Sequence, residues 1–320
     1  MRVLSGIQPS GKLHLGNYFG MMKPALELQS QGEVFLFIAN YHALTTVTDP
    51  ARLREATLDV ALDFLACGLD PQRTVFYRQS DVPEVTELMW LLSVVEPVSR
   101  MELAHSYKDK VAKGIPANLG LFSYPMLMAA DILAVDSDVV PVGRDQKQHV
   151  EIARDVAGRF NQQYGEVFKL PKESIRDEVA VVPGIDGEKM SKSYNNTLEI
   201  FGPAKDVRAR IMRIVTDSKG LADPKDPDTC NVFALYKLFA TPEEQAALAA
   251  RYRAGGMGYG DAKKAVAEKF EAQFAPLRAR REELARNPDF VEQVLRDGAA
   301  RAGAVARATL NRARQAVGLA

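Results

Sequence analysis

The chain has 320 residues, 47% hydrophobic and 26% charged, enough to bury the core of one large domain or two, and it contains no apolar run of the roughly 18 residues that a membrane span requires. Its two cysteines, Cys67 and Cys230, stand far apart and outside any CxxC pair, which leaves no support for a disulfide framework or a cysteine-based metal site. The net charge of zero hides an asymmetry, 20 basic against 26 acidic residues in the first 200 and 21 against 15 in the remainder, so the second part is the basic one, as a solvated surface or as a surface for a polyanionic partner.

The first residues, MRVLSGIQPSG, lack the apolar run and small-residue cleavage site of a signal peptide, so the protein is expected to be cytoplasmic. Val3-Leu4 opens a short strand that runs into a loop spanning Gly6 to Asn17, followed by a helix. A strand, a glycine-rich loop and a helix N-terminus offer unpaired N–H groups and the positive helix end to a phosphate. Gly6, Gly11 and Gly16 let a nucleotide approach the backbone, and His14 and Asn17, one helical turn apart, can point into one site. The loop fits neither the dinucleotide fingerprint nor the P-loop, and alone it reads equally well as a Gly/Pro turn with a satisfied histidine. Pro24 lies inside the first helix and predicts a kink or an early break.

Residues 33–38, EVFLFI, are apolar almost throughout, as in a strand covered on both faces, and 74–77 and 179–182 look similar. Asp49-Pro50 marks the cap and first turn of a helix that stops at Cys67-Gly68. Alternating strands and helices predict an α/β fold: a Rossmann-type, mostly parallel sheet with helices on both faces and ligands at the carboxyl ends of its strands. From about Ala204 the strands stop. Segments 242–253, 261–286 and 289–317 are rich in Ala, Glu, Arg and Leu and predict an all-α C-terminal domain, with Ala254-Gly-Gly-Met-Gly-Tyr-Gly260 and Asn287-Pro288 as joints. No acid follows Asp297, whereas Arg301, Arg307, Arg312 and Arg314 recur at helical spacings. One helix surface is therefore expected to be positive, either as a solvated face or as a surface for nucleic acid.

Two stretches carry chemistry of their own. GEKMSKS at 187–193 sets Lys189 and Lys192 three apart beside two hydroxyls and among turn residues, with no acidic run to pair both lysines. Lysines are rarely buried unpaired, so the loop is expected to be mobile and to meet an anion. Asp131 is an acid in the otherwise apolar segment Tyr124-Pro-Met-Leu-Met-Ala-Ala-Asp-Ile-Leu-Ala134, and a buried carboxylate must be paired or await a donor. Asp145, following a strand, is placed to cap a helix.

His14-Leu-Gly-Asn17 resembles the HIGH element of class I aminoacyl-tRNA synthetases, and Lys189-Met-Ser-Lys-Ser193 matches their KMSKS loop in full. The blocks GIQPSGKLHLGNY, YPMLMAADIL and VPVGRDQKQHVEIARD, in that order, extend the resemblance to tryptophanyl-tRNA synthetases over nearly the whole chain. The resemblance implies activation of L-tryptophan by ATP, with magnesium held by the ATP phosphates, and transfer to tRNA(Trp) by a homodimer. It assigns His14, Asn17, Lys189, Lys192 and Lys110 to catalysis, and Gln8, Gly16, Asn17, Gly143, Asp145, Lys189, Met190, Ser191 and Lys192 to ATP. Asp131 would read the indole N–H, which is a donor only. Met128, Val140 and Val142 would wall the ring, and Tyr124, Gln146, Gln8 and His42 would complete the amino-acid pocket. Arg144 departs from the acidic residue often found at its position.

The implied domains are residues 1–183, the nucleotide-binding sheet, and 184–288, the KMSKS loop and anticodon-binding helices, with the helix over 289–320 packing back on the sheet. The arginine-rich helical part would hold tRNA phosphates, and 82–97, with its Trp90-Leu-Leu-Ser-Val-Val95 run, is a candidate subunit interface or equally a core helix. Three other readings remain open: a tyrosyl-tRNA synthetase, a shorter nucleotidyltransferase of the same superfamily, and a synthetase-like regulatory protein without activity.

Overall fold

A computed structural model describes residues 1–9, 11–30, 32–103, 114, 118–143, 146–175 and 182–319. Among the described residues, five strands form one parallel sheet in the order β3-β2-β1-β4-β5: β1 (Arg2–Ile7), β2 (Glu33–Ile38), β3 (Thr74–Arg78), β4 (Val139–Val142) and β5 (Lys172–Ile175). β1 pairs with β2 from Arg2↔Glu33 to Ile7↔Ile38 and with β4 at Val3↔Val139. β2 and β4 therefore flank β1 on opposite sides, so the strand order reverses there, and the crevice at this switch lies outside the carboxyl ends of the strands.

Both faces of the sheet are buried, which is why its inner strands are continuous apolar runs. Leu36, Ile38 and Phe76 face one apolar cluster, and Phe35, Phe37, Val75 and Tyr77 alternate into the other. On the first face lies α1 (Pro50–Ala66), begun by Asp49, whose carboxylate accepts from Ala51 and Arg52 N–H. The second face is covered by α2 (Glu84–Ser93), α3 (Leu119–Ala134) and α4 (Lys147–Tyr164).

The first helix is interrupted where Pro24 predicts it: Leu15–Asn17 passes through a π-helical turn at Tyr18–Met22 before Lys23–Glu27. Proline has no N–H to close a regular turn, and the wider turn absorbs the missing bond. Of the strand expected at 179–182, residues 179–181 lie outside the described residues. β5 was not anticipated, because its sequence, KESI, has no apolar run.

Beyond residue 200 the described elements are helical: α5 (Ala204–Ile211), α6 (Asn231–Lys237), α7 (Pro242–Ala254), α8 (Tyr259–Ala285) and α9 (Pro288–Val317). α8 packs on α1, where Arg281 pairs with Asp59 and Asp63. α9 returns to the sheet and covers its edge strand β3, presenting Ala299, Ala302, Ala306, Leu310 and Ala313 to the core. At the crossing, Gly298 meets the Phe76 carbonyl so closely that an added Cβ would stand 1.8 Å from its oxygen.

The basic face expected on this last helix is corrected here. Arg301 donates to the carbonyl of Pro71, Arg307 pairs with Glu84 (2.8 Å), Arg312 with Asp136 (2.7 Å) and Arg314 with Glu87 (2.6 Å). These four arginines tie the helix to α2 and to the loops before β3 and after α3, so the surface they form is paired rather than an uncompensated positive stripe. The acids that satisfy them lie more than 170 residues earlier, out of reach of any local charge count. No helix among the described residues is long and apolar enough to cross a membrane.

Candidate active site

A cavity of about 430 Å³ opens at the carboxyl ends of β1, β2 and β4. It brings together Gln8, His42, Tyr124, Met128, Asp131, Val140, Val142, Gly143 and Gln146, which the sequence reading had grouped. Lys110 and Asp145 lie outside the described residues.

Asp131, 2% exposed, sits on α3 against the cavity. His42 Nε2 lies 2.9 Å from its Oδ2, and the Gln79 Nε2 donates to Oδ1 (2.9 Å) and Oδ2 (2.8 Å). Burial raises the carboxyl pKa above its usual value, and the His42 and Gln79 contacts act against that rise. The partners are thus a histidine and an amide. Across the cavity, the Tyr124 hydroxyl meets His149 Nε2 at 2.9 Å, and the His42 ring stands edge-on to Tyr124. The walls are apolar: Met128 and Val142 pack with the core and Val140 is buried within it.

The loop after β1 serves a second region. Gly6 and Gln8 line the cavity, whereas residues 11–17 meet the lysine loop. Leu15 N–H donates to the Leu198 carbonyl (2.9 Å), Ile200 N–H to the Leu13 carbonyl (3.2 Å), and Gly16 N–H to Met190 Sδ (3.4 Å). Met190 is buried while Lys189, Lys192 and Ser193 are exposed, and the Ser191 and Ser193 hydroxyls are paired at 2.8 Å. Although the Lys192 residue is exposed as a whole, its ammonium lies beside Gly11, and this partial desolvation lowers its pKa, with Glu199 opposing the change and Arg52 adding to it.

His14 is buried at the entry to the first helix, and its backbone N–H donates to Asn17 Oδ1 (3.2 Å). Burial, then the nearby Lys192 cation, lowers its pKa to about 4, so the ring is neutral at physiological pH. Its Nδ1 has no partner among the described residues. A neutral imidazole beside lysine ammonium groups can bond a phosphate oxygen without adding another charge.

The sequence reading missed two residues of this site. Gln79 follows β3, and only its place at a strand's carboxyl end could have flagged it. Asn196, 1% exposed, orders the lysine loop: its Oδ1 accepts from Ser191 N–H (2.8 Å), and its Nδ2 donates to Asp186 Oδ1 (2.8 Å) and the Lys189 carbonyl (3.1 Å). Gly184 packs against it with no room for a Cβ.

The family of class I tRNA synthetases for W and Y matches residues 1–275. A tryptophan–tRNA ligase of Rhodopirellula baltica is 56% identical over 319 residues, covering 100% of both chains. The chain belongs to the class I tryptophanyl-tRNA synthetases. Among solved members of this family, the Campylobacter jejuni enzyme, complexed with ADP and tryptophan, superposes with a TM-score of 0.96 at 50% identity over 100% of both chains. The Mycoplasma pneumoniae enzyme gives 0.82 at 32% identity, covering 100% of this chain and 98% of its own. A tyrosyl-tRNA synthetase from Archaeoglobus fulgidus, at 20% identity and a TM-score of 0.67, shares the fold.

Proposed function

We propose that the cavity holds L-tryptophan, that the junction of residues 11–17 with the lysine loop holds ATP, and that the two together perform the tryptophan–tRNA ligase reaction. The observation that carries this reading is Asp131, a buried acceptor beside the apolar wall of Met128, Val140 and Val142, together with a nearby loop bearing two exposed lysines. Indole offers one N–H donor and no acceptor, so an acidic reader in an apolar slot selects it. A site built to bond a polar atom rejects analogues lacking it by about four to five orders of magnitude.

In the first step the tryptophan carboxylate attacks the α-phosphate of ATP and pyrophosphate leaves, giving tryptophanyl-adenylate. No covalent enzyme intermediate is required, so the protein's task is in-line positioning and neutralisation of developing charge. Lys189 and Lys192 supply cations, His14 and the Asn17 amide supply neutral bonding groups, and Gly16 leaves room for the phosphates. Tyr124 and Gln146 orient the amino group, with Gln8 at the cavity mouth. In the second step the terminal adenosine hydroxyl of tRNA(Trp) attacks the adenylate carbonyl and AMP leaves. Lys110 and Asp145 retain the roles that their motifs imply. In this reading magnesium would be held by the ATP phosphate oxygens.

Residues 1–183 form the catalytic unit in this reading, and 184–288 carry the lysine loop and the anticodon-binding helices. With the α9 arginines engaged, Lys205, Arg208 and Arg213, all exposed, are the basic groups offered to tRNA phosphates. Trp90, Val94, Val98, Leu103 and Leu119 are exposed on neighbouring elements and suit a homodimer interface. A cytoplasmic location follows from the tRNA substrate. The deciding experiment is ATP–pyrophosphate exchange with tryptophan and tyrosine side by side. Exchange with tryptophan alone is expected, and exchange with tyrosine or with neither would overturn the assignment.

A further inference from the structure

The surroundings of Asp131 determine more than its availability. A carboxylate oxygen offers about two acceptor positions. Oδ2 receives both His42 Nε2 (2.9 Å) and Gln79 Nε2 (2.8 Å), while Oδ1 receives Gln79 alone (2.9 Å). Among the described residues, therefore, Oδ1 retains the free position.

Gln79 is itself held firmly. It is 1% exposed, and its Oε1 accepts from the backbone N–H of Tyr41 (3.0 Å) and His42 (3.4 Å). Backbone N–H groups only donate and an ionised carboxylate only accepts, so the amide has one chemically sensible orientation, oxygen toward residues 41 and 42 and nitrogen toward Asp131. The side chain ties the exits of β2 and β3 to α3, and its burial keeps water from replacing it.

We infer that Gln79 is a specificity-determining positioning residue: it holds the Asp131 carboxylate in one orientation and leaves Oδ1 to accept the indole N–H. The inference rests on the proposed role of Asp131 as the indole reader. Gln79 does not touch the reacting atoms; it acts by fixing an acceptor that could otherwise rotate.

The test compares kcat/KM for adenylate formation with tryptophan and with the analogue in which sulfur replaces the indole N–H. The ratio of the two does not depend on the fraction of active enzyme, so a general structural defect leaves it unchanged. Gln79→Met and Gln79→Leu are expected to lower this ratio about tenfold or more, as for loss of a charge-assisted bond. Asp131→Ala tests the underlying reading. If Asp131→Ala leaves the ratio at the wild-type value, the indole-reading role itself fails. If Asp131→Ala abolishes the preference but both Gln79 variants keep it, the role of Gln79 is overturned. Should the Gln79 variants not fold, a crystal structure of the wild-type protein with tryptophan decides: indole nitrogen on Oδ1 with Gln79 in place supports the inference. Indole nitrogen on Oδ2, or Gln79 turned away from Asp131, refutes it.

Discussion

His14 should leave a measurable imprint on stability. The folded protein lowers its pKa from 6.5 to about 4, first through burial and then through Lys192. Between these values the unfolded chain binds a proton that the native protein refuses, so the group's effect is to reduce stability as pH falls from about 6.5 toward 4. At about 1.4 kcal/mol per pH unit, the full loss is about 3 kcal/mol at pH 4 and roughly 2 kcal/mol at pH 5, relative to pH 7.5. His14→Gln removes the titration while keeping a polar side chain of similar reach. Urea unfolding of both proteins across pH 7.5 to 4.5 isolates the contribution, because the other titrating groups are common to the two. The wild type should lose stability on acidification more steeply than the variant, by about 2 kcal/mol at pH 5. Parallel curves would show that the ring is not held neutral, and with that the uncharged phosphate-bonding role would fall.

Lys192→Ala should reduce ATP–pyrophosphate exchange by roughly two to three orders of magnitude, the scale of losing one transition-state charge contact, with an unchanged unfolding midpoint because the side chain is exposed. A near-normal rate would remove it from catalysis. Asn196→Ala should destabilise by roughly 1–3 kcal/mol through lost hydrogen bonds and lower kcat/KM for ATP, while the tryptophan dissociation constant measured without ATP stays the same. Equal weakening of both ligands would mean general damage rather than loss of loop order. The double variant Arg307→Gln, Arg314→Gln should lower the unfolding free energy measured in urea by roughly 1 kcal/mol or less per pair, and leave the KM for tRNA unaltered. A raised KM for tRNA would restore these arginines to the nucleic-acid surface.

What was legible in the sequence follows from the range of each signal. β2 and β3 could be read because a strand covered on both faces must be apolar along its length, and α1 because Asp49-Pro50 caps it locally. β5 was not legible: KESI owes its place to pairing with β4 rather than to any periodicity of its own. The apolar cavity walls and Asp131 stood out because an acid among apolar neighbours is costly unless it has a purpose. Gln79 and Asn196 did not, since a polar side chain after a strand or within a loop looks the same whether it faces water or is wholly buried. Their partners lie 52 and 10 residues away, and only the fold brings them together. The α9 arginines were misread for the same reason, because the acids that pair with them belong to elements early in the chain.

The lysine loop has to meet two demands at once. A loop that must place cations on a triphosphate needs a fixed frame, yet its lysine side chains must be able to reach the ligand. The structure separates these tasks by residue. Met190 is 4% exposed, with its sulfur accepting from Gly16 and its N–H donating to the Val182 carbonyl, and Asn196 binds both ends of the loop at once. Lys189, Lys192 and Ser193 are the exposed residues around this frame. Ordering a lysine on a fixed backbone costs side-chain rotamer freedom, about 2 kcal/mol at most, whereas ordering the backbone as well would cost a further 1–2 kcal/mol for every residue of the loop. More of the attraction between ammonium and phosphate is then left to act where charge develops in the transition state.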